Sequence, residues 1–436
     1  MKVFIGFADI AGYSSRLAAL LASGGHEVCL MDTSWHPYNP AVATHPLLRQ
    51  PARGWFLGTM QLKRRAKWLY LLLTPLLALV KYLVFLWHIR RCDAAVFVGG
   101  STIMPAYADR RIARRLGLRA INVFLGSTSR PHFMSGAVCG ARRIDDRRAR
   151  RLARRMRRQR DRVRAIAAAC DDVIENPLCS QYHEKPCIDW FQFGFPSGGE
   201  SFGEPIDASP GGDVTRILHC PSRPEIKGTA EIRACIEQLR DVEKLPIRYT
   251  EITGMPHSEV LTRLADCDFV IDELFSDSPM AGFASEAAWF GKPAIVGGYG
   301  WDILTALPSA AVLPPSHICR PEELTDAVRL LIDDRDYRED LGKRARHYCM
   351  DFLGGSAYVA RMECVLENRV PDDWRFEPQD TTYIHGLGLD ERRLRNVIAD
   401  IERAAGMDAF CLQDRPDLED AIRQLLAGAD EKDSTI

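Results

Sequence analysis

Short apolar runs ending in small or polar residues alternate with stretches of helical periodicity along residues 1–195: KVFIGFA, HEVCLMD, DAAVFVGG, RAINVFLG and DDVIENP. Runs of this length bounded by turn residues read as strands buried on both faces, and their alternation with helices predicts parallel βα units. The pattern breaks at PSGGESFGEPIDASPGGD, residues 196–213, whose glycine, proline and serine content marks a linker. It restarts with TRILHCPS, IRYTEITG, CDFVIDEL, KPAIVGG and AAVLPP. The expectation is an α/β chain with two Rossmann-like doubly wound domains facing each other across a cleft. The first covers residues 1–195 and the second 214–370; residues 371–436 are a helical segment that returns to the first domain.

Composition narrows the classes. The chain has 436 residues, 46% of them apolar and 26% charged, with a formal net charge of -1. That balance fits globular domains, excludes a disordered chain, and gives no overall basicity for binding nucleic acid. The 13 cysteines are scattered, with no C-x-x-C pair, which predicts free thiols in a reducing cytosol. MKVFIGFAD enters a strand at once and has no secretory leader pattern. The acidic clusters at 171–172 and 334–336 are runs rather than convergent oxygens, and no H-x-x-x-H pair occurs, so no metal is expected. GFADIAG departs from G-x-G-x-x-G, which argues against a dinucleotide oxidoreductase; no cofactor is expected.

Three loops of the second half carry coherent chemistry. In CPSRPEIKGTAEI, Arg223 and Lys227 precede a helix expected to start near Gly228, so two cations and a helix N-terminus could meet a diphosphate. Two solvated cations at a helix start are the alternative. In DSPMAGFASEAAWFGKPAIV, Gly282 lets backbone N–H groups approach a phosphate, and Glu286, early in the following helix, could accept both ribose hydroxyls or merely complement the helix dipole. In EITGMPHSEV, a strand-end turn could edge a nucleobase. His219, on an apolar strand, reads as an interior residue with its hydrogen bonds satisfied.

Together these fragments resemble retaining glycosyltransferases of the GT-B fold, in particular glycosyltransferase family 4. SRPEIKGT is similar to the loop that holds the donor diphosphate, and Glu286 falls on the family's ribose-binding glutamate. The resemblance implies a donor side made of Gly254, Met255, Gly282, Phe283, Ala284 and Glu286, with Arg223 and Lys227 stabilising the leaving diphosphate without a required metal. FADIAGYSS resembles the first loop and helix, which places Gly12 and Tyr13 on the acceptor side. Two positions depart from the pattern: the first glutamate of the family's pair falls on Ser278, and a strand-end histidine falls on Leu125. Asp277 is the candidate to replace the missing sugar contact. The implied activity is sugar transfer, with retention, from a UDP or GDP sugar to a carbohydrate or lipid-linked acceptor. The alternatives are a nucleotide-binding GT-B relative of weak catalysis that acts as a scaffold, and a nucleotide-sugar epimerase.

The most apolar stretch, KRRAKWLYLLLTPLLALVKYLVFLWHIRR at 63–91, is long enough to span a bilayer but sits between strands of one expected sheet. Docking in the membrane interface is the preferred reading; a helix covered by protein is the alternative. Residues 141–164 hold thirteen arginines and three aspartates, a solvated helix or a face for anionic headgroups. The expectation is a cytoplasmic protein attached peripherally to the inner face of the cell membrane.

Overall fold

The computed structural model describes residues 1–33, 48–140, 143–196 and 213–432. All but the first and last residue of the expected linker, 196–213, lie outside them. The first sheet is built from β1 (Lys2–Phe7), β2 (Glu27–Asp32), β3 (Leu48–Arg49), β4 (Ala94–Val98), β5 (Arg119–Val123), β6 (Asp172–Glu175) and β7 (Cys187–Asp189). The second contains β8 (Thr215–His219), β9 (Ile247–Glu251), β10 (Phe269–Ile271), β11 (Ala294–Gly297) and β12 (His317–Cys319). A last strand, β13 (Arg375–Phe376), rejoins the first sheet. The orders are β13-β7-β6-β5-β4-β1-β2-β3 and β12-β11-β10-β8-β9. The ladders are parallel except β13 against β7.

The unbroken apolar runs follow from burial on both faces. Val3, Ile5, Val28, Val96 and Val98 pack with Tyr13, Leu17 and Leu21 on one side of the first sheet. Phe4, Met31 and Phe97 pack with Phe56, Phe85 and Ile89 on the other. Strand order reverses between β1 and β4 in the first domain and between β8 and β10 in the second. Loops at the carboxyl ends of those strands open the crevices where ligands bind in such sheets.

The helix Gly355–Leu366 already lies on the first domain, so the chain leaves the second domain before residue 370. Val359 packs so closely on Gly24 that a Cβ there would sit 2.6 Å from its Cγ1, and His26 Nε2 meets Glu363 Oε1 at 2.8 Å. Residues 371–432 are not wholly helical, since β13 lies among them. The helix Glu391–Ala405 covers the apolar stripe of the arginine-rich helix Asp146–Ala169, with Leu394, Val397 and Ile401 in one core with Leu152 and Met156. Arg143 Nη2 donates to Asp400 Oδ1 at 2.6 Å beside that contact.

The apolar stretch forms one helix, Lys67–Ile89, continuous through Pro75 and long and apolar enough to cross a membrane. It is anchored at Phe85, whose ring lies 5.4 Å from that of Phe4, and at Ile89. Trp68, Leu72, Leu76 and Trp87 are exposed, Leu72 by 69%.

Candidate functional site

Lys227 closes a one-turn helix, Pro224–Lys227, that starts four residues earlier than the sequence pattern suggests. Pro224 at the first position fixes a φ suited to a helix start. Gly228, at φ 73°, then turns the chain into the helix Thr229–Glu237. A left-handed residue is needed there, and a Cβ would fall 2.6 Å from that of Leu274. The result separates the two cations. Arg223 is exposed and pairs with Glu225 at 3.2 Å, whereas Lys227 turns inward at the carboxyl end of β10.

Lys227 Nζ donates to Asp272 Oδ1 at 3.0 Å and lies 3.1 Å from Glu273 Oε1. Both carboxylates are buried. Burial alone would lower the lysine's pKa, but these two charges raise it, so the ammonium stays protonated. Burial likewise pushes the Glu273 carboxyl up, with Lys227 opposing. The other oxygen of Asp272 accepts the Ala284 N–H at 3.2 Å, at the start of the helix Gly282–Trp289. The Asp272 carboxylate thus bridges the lysine and the helix N-terminus, the two groups assigned to a diphosphate. An ammonium has three donors, two of them engaged here, and among the described residues no hydrogen bond takes the N–H groups of Gly282 and Phe283.

Glu286 lies on the same short helix, half-buried. Burial lowers the pKa of Arg16 while the Glu286 charge works against it, which places a first-domain guanidinium within electrostatic reach of the glutamate across the cleft. Gly254, at φ 69°, and Met255 sit on an exposed turn after β9, open to solvent. His219 uses both ring nitrogens, Nδ1 on Ile271 O at 2.7 Å and Nε2 on Thr229 Oγ1 at 2.9 Å.

Asp277 is not open to a sugar. Its Oδ2 takes a 2.6 Å hydrogen bond from Arg130 Nε and a second contact from the same guanidinium, and Cys179 Sγ lies 3.1 Å away. Its backbone carbonyl accepts from Asn176 Nδ2 at 2.8 Å. The residue is therefore a buried strut between the domains. Ser278 turns back into its own loop, its N–H on Ser276 Oγ at 3.2 Å. On the acceptor side, Gly12 holds φ 79° and Tyr13 is fully buried, its hydroxyl 3.5 Å from that of Tyr358 and its ring 5.6 Å from Trp190. Tyr13 braces the first helix from within and does not face the cleft.

Sequence reasoning missed Arg16, Arg130, Asp272 and Glu273. The acidic pair had a signal, two carboxylates directly after the apolar run of β10. The arginines had none, since their importance depends on residues far away in the chain.

No family model matches the chain, and no curated protein matches it in sequence. Among solved structures, sucrose-phosphate synthase from Thermosynechococcus elongatus is similar over 84% of this chain and 98% of its own, at 14% identity and a TM-score of 0.51. The fold is GT-B. Anabaena HepE in complex with UDP-glucose matches 84% of this chain and 99% of its own at 10% identity and a TM-score of 0.45. The glycosyltransferase SnogD from Streptomyces nogalater matches the same shares at 16% identity and a TM-score of 0.38. In GT-B terms, the Lys227 cluster lies on the second domain's side of the cleft and Arg16 on the first domain's side.

Proposed function

We propose that this protein is a nucleotide-sugar-dependent glycosyltransferase that moves a sugar from a UDP or GDP sugar to a membrane-borne acceptor, with retention. The observation that carries the reading is the convergence, in a GT-B cleft, of a protonated Lys227, the start of the helix Gly282–Trp289 and Glu286 on the second domain. The diphosphate would approach the third Lys227 donor and the N–H groups of Gly282 and Phe283, with Arg223 swinging in from solvent. Charge that builds on the leaving phosphate is then met by fixed donors, which favours the transition state over the bound sugar. Glu286 would accept the ribose hydroxyls, and the Gly254–Met255 turn would edge the base. Asp277 acts through Arg130, by fixing the distance between the domains.

A membrane-borne acceptor is supported by the exposed stripe Trp68, Leu72, Leu76 and Leu79 on the helix Lys67–Ile89, which is anchored to the first domain. Lys63, Arg64, Arg65 and Lys67 at its N-terminal end would meet anionic headgroups. Two observations favour the scaffold alternative: the cation meant for the diphosphate is already countered by two carboxylates, and Asp277 is engaged by Arg130.

Titration with UDP, GDP and ADP followed by donor hydrolysis separates the two readings. The transferase reading expects nucleoside diphosphate binding that Lys227→Ala weakens roughly 10- to 150-fold, the loss of one charge-assisted contact, with nucleoside binding unchanged. Binding without any turnover in the presence of lipid extracts leaves the scaffold. Docking is tested by flotation: the parent should float with anionic vesicles and Leu72→Glu/Leu76→Glu should not. A parent that stays in the soluble fraction rejects the membrane surface.

A further inference from the structure

The arginine-rich helix Asp146–Ala169 has a polar stripe that the transferase reading leaves unused. Arg155, Gln159 and Arg162 recur at helical spacing and so share one face. That face meets the loops at the carboxyl ends of β4 and β5. Gln159 Nε2 donates to Arg130 O at 2.7 Å, and Arg162 Nη2 donates to Thr128 O at 2.9 Å. Arg162 Nε is buried without a partner, and its side chain lies on Gly100, where a Cβ would be 3.3 Å from that nitrogen. Among the described residues, the ion pairs of this helix run from Asp146, Arg160 and Arg164, none from Arg155 or Arg162. Both guanidiniums nonetheless act on one neighbour: the half-buried His132 imidazole is pushed down to about 4 by burial and then by Arg155 and Arg162.

The position is the crevice of the first domain. Gly99, at φ 66°, is so tightly enclosed that a Cβ would fall 2.8 Å from Ile10 and 3.2 Å from Thr128, so the loops after β1, β4 and β5 meet at this point. Two guanidiniums on one helix face and an unsatisfied buried N–H beside them are elements of an oxyanion site. Farther along the β4 loop, Ile103 and Met104 pack against the cluster that holds Phe56 and Phe85, the anchor of the apolar helix. One loop therefore runs from the cations to the base of the surface read as lipid-facing.

We propose that Arg155 and Arg162, beside the loop that carries Gly100, form a phosphate site for a lipid-linked acceptor. The site holds the phosphate or diphosphate of the acceptor while its chain passes the Ile103–Met104 loop toward the helix Lys67–Ile89. The word acceptor rests on the transferase reading; the phosphate site itself does not. A free phosphate ester would satisfy the same guanidiniums, and the apolar continuation is what favours the lipid.

The test uses the full chain, with UDP saturating the second domain so that its lysine does not compete. Flotation with phosphatidylcholine vesicles, with and without a few percent of a long-chain prenyl phosphate, is compared with titration of inorganic pyrophosphate. The parent should gain at least tenfold in vesicle affinity from the prenyl phosphate. Arg155→Gln/Arg162→Gln should lose that gain while keeping its UDP affinity, and the exposed Arg155→Gln alone should lose part of it. The His132 ring, followed by NMR, should titrate near 4 in the parent, move toward the ordinary imidazole range in the double variant, and shift the same way when the anion binds. An equal gain in parent and double variant overturns the site. Pyrophosphate binding that the variant loses, without any gain from the prenyl phosphate, overturns the lipid assignment and leaves a soluble phosphate ester as ligand. A retained gain alongside absent UDP binding would instead remove the transferase reading and leave the phosphate site standing.

Discussion

Replacing Lys227 by methionine tests the site through stability as well as through binding. The ammonium is the countercharge for two buried carboxylates at 3.0 and 3.1 Å, and methionine keeps most of its volume while removing the charge. Removing one partner of a buried pair leaves uncompensated charge and costs about 3–5 kcal/mol, a large share of the 5–15 kcal/mol typical of a domain. The pH dependence follows from Glu273, whose carboxyl burial already raises above the ordinary range. In the variant nothing opposes that rise. A carboxyl whose folded pKa exceeds its unfolded value contributes stability that is fully present below the unfolded pKa and lost as pH rises through the folded one. The deficit of Lys227→Met should therefore be largest at pH 7.5 and shrink toward pH 5, where Glu273 takes up a proton instead. Urea unfolding followed by tryptophan fluorescence suits the measurement, because Trp289 and Trp301 are both buried in the second domain. Adding Glu273→Gln to Lys227→Met should recover part of the loss at pH 7.5. A deficit below about 1 kcal/mol, equal at both pH values, would refute the countercharge argument.

Two further outcomes concern the domain interface. Arg130→Met should destabilise by about 3–5 kcal/mol and loosen the domains, and Arg130→Met/Asp277→Leu should be more stable than the single variant, since the stranded carboxylate is gone; a double variant worse than the single in thermal unfolding and scattering argues against the strut. Burial pushes Asp189 up to about 6, against the hydrogen bonds from Ser309 and the Phe191 N–H. Its ionisation thus costs stability as pH rises through 6, and Asp189→Asn should gain on the parent by about 2 kcal/mol between pH 4.5 and pH 8. A difference in melting temperature that stays flat across that range contradicts it.

How much of this was legible in the sequence depended on how local the cause was. Nine strands, β1, β2, β4–β6 and β8–β11, were readable because strands buried on both faces must be apolar along their whole length, and a run such as DAAVFVGG has few other uses. The two- and three-residue strands β3, β7 and β13 are too short to carry that pattern, and AAVLPP, expected as a strand, begins in the 3-10 turn Pro308–Val312, with β12 following at His317–Cys319. The apolar helix was readable for a similar reason: a leucine-rich run of 23 residues favours helix by local propensity. The loops around Lys227 and Gly282 were located because strand ends and glycine turns carry their own signals.

Distance along the chain hid the rest. Whether a charge is a free catalytic group or a structural partner is decided by what lies opposite it. Asp277 is met by Arg130, 147 residues away; Tyr13 is met by Tyr358 across 345. Lys227 finds Asp272 only because β8 and β10 are neighbours in the sheet. Periodicity records which face a residue turns inward, since that depends on a few neighbours along one element. The partner waiting there is fixed by strand order and domain packing, and only the tertiary structure decides it.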